Sequence, residues 1–165
     1  MIVVSVGTHE QPFDRLLGAV AELGGSEELL VQYGTSTLAP GRGEWVDYLS
    51  FDELAAYVAR ARVFVCHAGV GSIVVARRYG LRPIVVPRKH ELGEHVDDHQ
   101  LELSRRLASA GIVTLVEDEN ELAAAVFAAA EAVPSGGTAL RGPDDLGAHV
   151  RVALEGYGTA KLRAA

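Results

Sequence analysis

Val63-Phe64-Val65-Cys66-His67-Ala68-Gly69-Val70-Gly71-Ser72-Ile73-Val74-Val75-Ala76-Arg77-Arg78-Tyr79-Gly80 is the stretch that decides the fold. Its first four residues are apolar without alternation, the pattern of a strand covered on both faces. A glycine-rich turn follows, and Gly71–Tyr79 reads as a helix stopped by Gly80. A doubly covered strand feeding a helix through a short turn is half of a β-α-β unit. Such units build parallel sheets, because the helix carries the chain back to the start of the next strand.

The same alternation runs outward in both directions. Ile2–Val6 and Leu29–Tyr33 read as strands, with a helix between them over Phe13–Leu23 and Gly24 as its expected cap. Trp45–Tyr48 reads as a short third strand. Ser50-Phe51-Asp52-Glu53 has capping-box spacing and predicts a helix to Arg60. After the central stretch come a strand at Pro83–Val86, a helix over Asp97–Ala110 stopped by Gly111, a strand at Ile112–Val116 and an Ala-rich helix opening at Asp118. The order β-α-β-β-α-β-α-β-α-β-α predicts an α/β fold: a doubly wound, mostly parallel Rossmann-like sheet with helices on both faces. Residues 1–133 form the binding domain in this reading. Residues 134–165 are a tail of the same domain: a loop over Pro134–Pro143, then a helix over Leu146–Leu154. No internal repeat is present.

The 165 residues suit one domain and can support a core unaided. Fifteen basic against twenty-two acidic residues give a net charge of −7. With no dense Lys/Arg run, general nucleic-acid binding is not expected. No apolar run reaches the ~18–20 residues of a membrane span. The N-terminus lacks a basic leader and reads as a strand, so no signal peptide is expected. The single Cys66 forms no internal disulfide, which points to a reducing cytoplasm. Glycine is abundant at 18 residues, and its placement is informative.

In doubly wound sheets, ligands bind beyond the carboxyl ends of the strands, where strand order reverses. Two loops there are rich in small polar residues: Gly7-Thr8-His9-Glu10-Gln11-Pro12 and His67-Ala68-Gly69-Val70-Gly71-Ser72. If their strands are neighbours, both loops face one crevice. The second is the better anion site. Gly69 and Gly71 allow close backbone approach, and the amides of Gly71, Ser72 and Ile73 are expected as free first-turn donors within the helix dipole. Ser72 adds a hydroxyl, and His67 can donate to a phosphate or stabilise a leaving diphosphate. The plainer alternative is a tight strand-to-helix turn with a half-buried histidine. There is no Walker sequence and no full G-x-G-x-x-G, so nucleoside triphosphate hydrolysis and NAD binding are weakly supported.

The third segment, Pro87 to Gln100, gathers Arg88, Lys89, three histidines, carboxylates and a carboxamide. Asp and Gln can read sugar hydroxyls, and Arg88 can balance phosphate charge. The alternative is a solvated loop, with Asp97 as a helix cap. His90-Glu91-Leu92-Gly93-Glu94-His95 is not H-E-x-x-H, so no metal site is expected. Cys66 ends a buried strand and is expected to be inert.

Together these segments resemble the C-terminal, nucleotide-sugar-binding half of family 28-type GT-B glycosyltransferases. The likeness is to the small single-domain subunits of bacterial exopolysaccharide synthesis and to the eukaryotic dolichol-linked N-acetylglucosaminyltransferase catalytic subunit. The matching pieces are Val4-Ser5-Val6-Gly7-Thr8 with Pro12-Phe13-Asp14-Arg15-Leu16; His67-Ala68-Gly69-Val70-Gly71-Ser72-Ile73; and Pro83-Ile84-Val85-Val86-Pro87-Arg88 leading to Gly93-Glu94-His95-Val96-Asp97-Asp98-His99-Gln100. They occur in family order over about Ile2–Leu122.

The resemblance implies a UDP-sugar-dependent hexosyltransferase that inverts and has no obligatory metal, in keeping with the lack of a D-x-D motif. It implies a phosphate site from Gly7, Thr8, His67, Ala68, Gly69, Gly71, Ser72 and Arg88, and a sugar site from Glu94, His95, Asp98 and Gln100. His67 and His9 are the candidate catalytic residues; for His9 the alternative is a surface loop residue. A GT-B enzyme has two such domains, so a membrane-attached partner chain is implied, presenting a lipid-linked sugar acceptor at the cytoplasmic membrane face. One departure stands out: Val75 occupies a position where related members often carry a ribose-binding Glu. The rival expectation is a nucleotide-sugar-binding or assembly module that does no chemistry.

Overall fold

A computed structural model describes residues 1–38, 41–97 and 99–132. The strands are β1 (Ile2–Ser5), β2 (Leu29–Gln32), β3 (Glu44–Val46), β4 (Val63–Cys66), β5 (Ile84–Val85) and β6 (Thr114–Leu115). The helices are α1 (Asp14–Ala21), α2 (Phe51–Arg60), α3 (Val70–Arg78), α4 (His99–Ser109) and α5 (Leu122–Glu131). All strand pairs are parallel, in the order β3-β2-β1-β4-β5-β6. The chain therefore winds outward from β1 to one edge, then returns to β4 and winds to the other. That reversal between β1 and β4 is the switch point at which crevices open in such sheets.

Alternate residues of a strand face opposite sides, so a doubly covered strand needs apolar residues at every position. β1 does this. Ile2 and Val4 pack with Leu16, Leu17 and Val20 of α1 and Leu122 and Val126 of α5. Val3 points the other way, into a layer with Phe64, Val58 of α2, Ile73 and Ala76 of α3, and Leu103 and Leu107 of α4. At roughly 25 cal/mol per Å² these two apolar layers dominate the folding energy.

The boundaries differ from the sequence expectation in a few places. Gly25, at φ +100°, takes the left-handed conformation after α1, not Gly24. The third strand lies at Glu44–Val46, two residues short of Tyr48. Short 3-10 turns at His90–Leu92 and Glu119–Glu121 precede α4 and α5. The Ser50/Glu53 capping box forms as read: Ser50 Oγ accepts the Glu53 amide, and the Glu53 carboxylate accepts the Ser50 amide. The predicted loop at Pro134–Pro143 and helix at Leu146–Leu154 lie outside the described residues. No helix among the described residues is long and apolar enough to cross a membrane.

Candidate functional site

β1 and β4 are adjacent, with Ser5 opposite Cys66, so the two glycine loops leave the sheet side by side. The His67 amide donates to the Ser5 carbonyl at 3.2 Å, stitching the loops at their roots. The His67 imidazole then fills the space between them. A Cβ on either Gly7 or Gly69 would run into that ring, and Gly7 also sits at φ +77°. Glycine is therefore needed at both positions, by volume at each and by backbone conformation at Gly7.

A cleft of about 290 Å³ opens above this junction. Gly7, Thr8, His67, Gly69, Gly71 and Ser72 line one side of it. α3 begins one residue earlier than expected, with Gly69 as its cap and no side chain capping it. The Ile73 amide already donates to the Gly69 carbonyl, so the free first-turn donors are those of Val70, Gly71 and Ser72. They point out of the positive end of the helix dipole, an arrangement suited to an anion.

The floor of the cleft holds two polar residues that the sequence reading passed over. Ser5 and Gln32 end otherwise apolar strands, and both are buried. Ser5 Oγ donates to Gln32 Oε1 at 2.6 Å and accepts the Gly7 amide at 3.2 Å. This pair holds Gly7 in its turn. The signal was available: a polar side chain closing an apolar strand at the ligand end of a parallel sheet. The far wall is apolar, built from Tyr48, Leu49, Phe51 and Leu54 around the start of α2. Phe51, the first residue of α2, is 61% exposed, and an aromatic directly after the Ser50 cap was the readable hint. Val75 is buried on the same cleft and offers no hydrogen-bonding atom.

Burial pushes the His67 imidazole down to about 4, with the Arg88 charge acting the same way. The ring is neutral at pH 7 and offers one N–H rather than a positive charge. Its Nδ1 is buried without a partner, as are Gln11 Oε1 and Arg88 Nε nearby in the same loop system. The Cys66 thiol is fully buried and pushed up, so it is inert as a nucleophile.

His9, His95 and Gln100 belong to a second group of residues, on the Gly7 loop and the segment after β5. His9 does not line the cleft; its ring lies 4.7 Å from that of His95. Burial and then the Arg88 charge lower its proton affinity. His95 Nδ1 lies 3.2 Å from Asp97 Oδ1. Gln100 Oε1 accepts the Arg88 amide at 3.4 Å. Ala68 is buried, and Asp98 lies outside the described residues.

Two expected contacts are placed differently. Arg88 is fully buried, and its guanidinium donates to the carbonyls of Val6, Gln11, Pro12 and Glu94. Those loop carbonyls need donors, and the fork supplies them; the side chain is fully buried and does not line the cleft where a phosphate is expected. Glu94 is also buried; its carboxylate pairs with Arg15 at 2.9 Å and accepts the Lys89 amide at 2.9 Å. It is a structural partner, not a free sugar contact. Among the described residues, no three His, Cys, Asp or Glu side chains are grouped to hold a metal.

Comparison with known proteins agrees with this architecture. In sequence, 128 residues are 31% identical to the UDP-N-acetylglucosamine--N-acetylmuramyl-(pentapeptide) pyrophosphoryl-undecaprenol N-acetylglucosamine transferase of Desulforudis audaxviator (strain MP104C), covering 78% of this chain and 34% of that protein. A 56-residue stretch is 38% identical to the UDP-N-acetylglucosamine transferase subunit ALG13 of Yarrowia lipolytica (strain CLIB 122 / E 150), covering 34% of this chain and 26% of that one. The chain thus spans about a third or less of the length of these relatives. Among solved structures, the glycotransferase of kitacinnamycin superposes with a TM-score of 0.64 at 24% identity, over 92% of this chain and 41% of the other. The calicheamicin glycosyltransferase CalG4 does so at 0.59 and 16% identity, over 93% and 42%. These two establish the fold as that of one lobe of GT-B glycosyltransferases. The family model of the glycosyltransferase family 28 C-terminal domain matches residues 1–132, and the chain belongs to that family.

Proposed function

We propose that this chain binds the UDP-sugar donor of a glycosyltransferase and, with a partner chain, transfers the sugar with inversion to a lipid-linked acceptor. The observation that carries the reading is the convergence of the Gly7 and Gly69 turns on the His67 ring, beside the unpaired amides of α3. A diphosphate over Val70, Gly71 and Ser72 receives main-chain hydrogen bonds and the helix dipole. The uracil then rests on the apolar wall of Phe51 and Leu54, and the sugar extends toward His95 and Gln100. The acceptor hydroxyl oxygen bonds to the anomeric carbon as the C–O bond to the diphosphate breaks; its proton passes to a base of the partner chain, and charge develops on the departing UDP. The α3 amides and the neutral His67 N–H stabilise that charge, as an oxyanion hole does.

In this reading no metal is required, and the donor lobe works at the cytoplasmic membrane face through a membrane-attached partner. The names of the relatives, a transferase that acts on a pyrophosphoryl-undecaprenol substrate and a transferase subunit, support the lipid-linked acceptor and the partner chain. Val75 favours one variation. With no carboxylate there for the ribose hydroxyls, the chain can be a nucleotide-sugar module that binds without turnover.

Calorimetry with UDP and a panel of UDP-sugars is the test. Micromolar binding of UDP over ADP supports the site, and no heat with any of them overturns it. Phe51→Ala should weaken UDP about tenfold through lost stacking, with the melting temperature nearly unchanged because the ring is exposed. Turnover with the partner chain present, unchanged by EDTA, separates the enzyme from the binding module. There His67→Ala should lower kcat about 10²-fold.

A further inference from the structure

Arg88 is the largest fully buried side chain among the described residues, and its surroundings are unusual for a charge. Two carboxylates lie in the same cluster, yet both pair with Arg15: Glu94 at 2.9 Å and Glu119 at 3.0 Å. Arg88 has no carboxylate partner among the described residues. Nη1 donates to the Gln11, Pro12 and Glu94 carbonyls at 2.9, 3.2 and 3.1 Å, and Nη2 donates to the Val6 carbonyl at 3.1 Å. Its face lies 4.5 Å from the centroid of the Phe13 ring. A buried charge is costly unless it is hydrogen-bonded; here carbonyl dipoles take both Nη groups, Nε stays buried without a partner, and the Glu94 carboxylate offsets part of the charge through space. The cluster is thus balanced in total but polarised: its negative groups sit on Arg15, and its positive group sits under the turn that shapes the cleft.

We infer that Arg88 is a positioning residue of the cleft: from inside the protein it pins the Val6–Pro12 turn to the Glu94 segment and places a positive charge behind the anion cradle, without touching the ligand. The connection is direct. Val6 precedes Gly7, Gly7 packs on the His67 ring, and His67 lines the cleft. The charge reaches the histidines as well. After burial, Arg88 is the next cause of lowered proton affinity at both His67 and His9, ahead of the other histidines near them. Burial lowers Arg88 itself to about 10, so it stays protonated at neutral pH. The ligand half of this inference rests on the proposed UDP-sugar site; the half concerning the turn and His67 does not.

Arg88→Lys and Arg88→Met separate the two contributions. Lysine keeps the charge but cannot fork to four carbonyls. It should leave UDP affinity within about threefold and His67 titration low, while amide exchange over residues 7–11 quickens. Methionine removes both. It should raise the His67 titration midpoint, followed by NMR, and weaken UDP about tenfold, within the range of couplings between linked sites. A folded Arg88→Met protein with unchanged His67 titration and unchanged UDP affinity overturns the inference. If wild type binds no UDP, the proposed function fails, yet the His67 midpoint still judges Arg88. If Arg88→Met does not fold, the wild type decides. Its Arg88 guanidinium protons should exchange slowly, with hindered rotation, before and after UDP is added. Fast exchange, or a direct contact to the phosphates, overturns the assignment.

Discussion

His67 occupies its place because two neighbours have no side chain. Between Gly7 and Gly69 the imidazole has room for itself and nothing more. Gly69→Ala inserts a methyl group into the ring, and Gly69 has an ordinary backbone conformation (φ −70°), so the effect isolates volume from strain. Overpacking of this kind typically costs about 1–3 kcal/mol. We expect such a loss in urea denaturation, together with weakened UDP binding as the ring swings into the cleft; full stability would contradict the packing. The same burial sets a pH response. Folding lowers the His67 proton affinity from 6.5 to about 4, so the unfolded chain takes up the proton first. Stability linked to His67 is intact above about pH 6.5, falls as pH drops toward 4, and falls no further below. The total is on the order of 1–3 kcal/mol, allowing for partial exposure of the ring. Comparing wild type with His67→Gln at pH 7, 6 and 5 isolates this term: the wild type should lose more. Equal losses would mean that the imidazole titrates normally.

At the level of elements, the expected strands that matched best are those whose two faces are both buried. β1, β2 and β4 are apolar at every position except the polar residues closing β1 and β2. The edges were less legible. β6 is a two-residue strand, half-buried, so its apolar run overstated its length. The 3-10 turn at His90–Leu92 is too short to show any period. For the site, the glycine turns were readable because close approach demands glycine. The destinations of Arg88 and Glu94 were not, since a charged side chain in a loop reads as solvated until its partners are known. Their partners join distant elements. Arg15, in the first turn of α1, meets Glu94, which is 79 residues away between β5 and α4. Both side chains are about nine-tenths buried. Breaking one partner of a buried pair leaves the other uncompensated. Glu94→Gln should therefore lower unfolding free energy by about 3 kcal/mol, moderated by the remaining Arg15–Glu119 contact. The denaturant midpoint should move without a change in slope; an unmoved midpoint would show that Glu119 alone suffices.

The molecule as a whole carries a net charge of −7, yet the proposed ligand of its cleft is an anion. The two facts are compatible because the positive contributions are local: three unpaired amides at the start of α3 and the buried Arg88. Distance then decides which charges a ligand feels. At about 0.01 M ionic strength the screening length is roughly 30 Å, comparable with the whole domain, so the acidic surface repels UDP. At about 0.15 M it shrinks to roughly 8 Å, and the cradle alone remains in play. A protein that captures phosphate with a basic surface loses affinity as salt rises. This one should not. Between 10 and 150 mM NaCl the UDP dissociation constant should stay level or tighten, by no more than about threefold, and the change should appear in the association rate, where long-range fields act. Calorimetry and stopped-flow mixing across a salt series measure both quantities. A tenfold loss of affinity over that range would place the ligand on surface cations instead of the α3 amides, and would move the binding site away from the β1–β4 crevice.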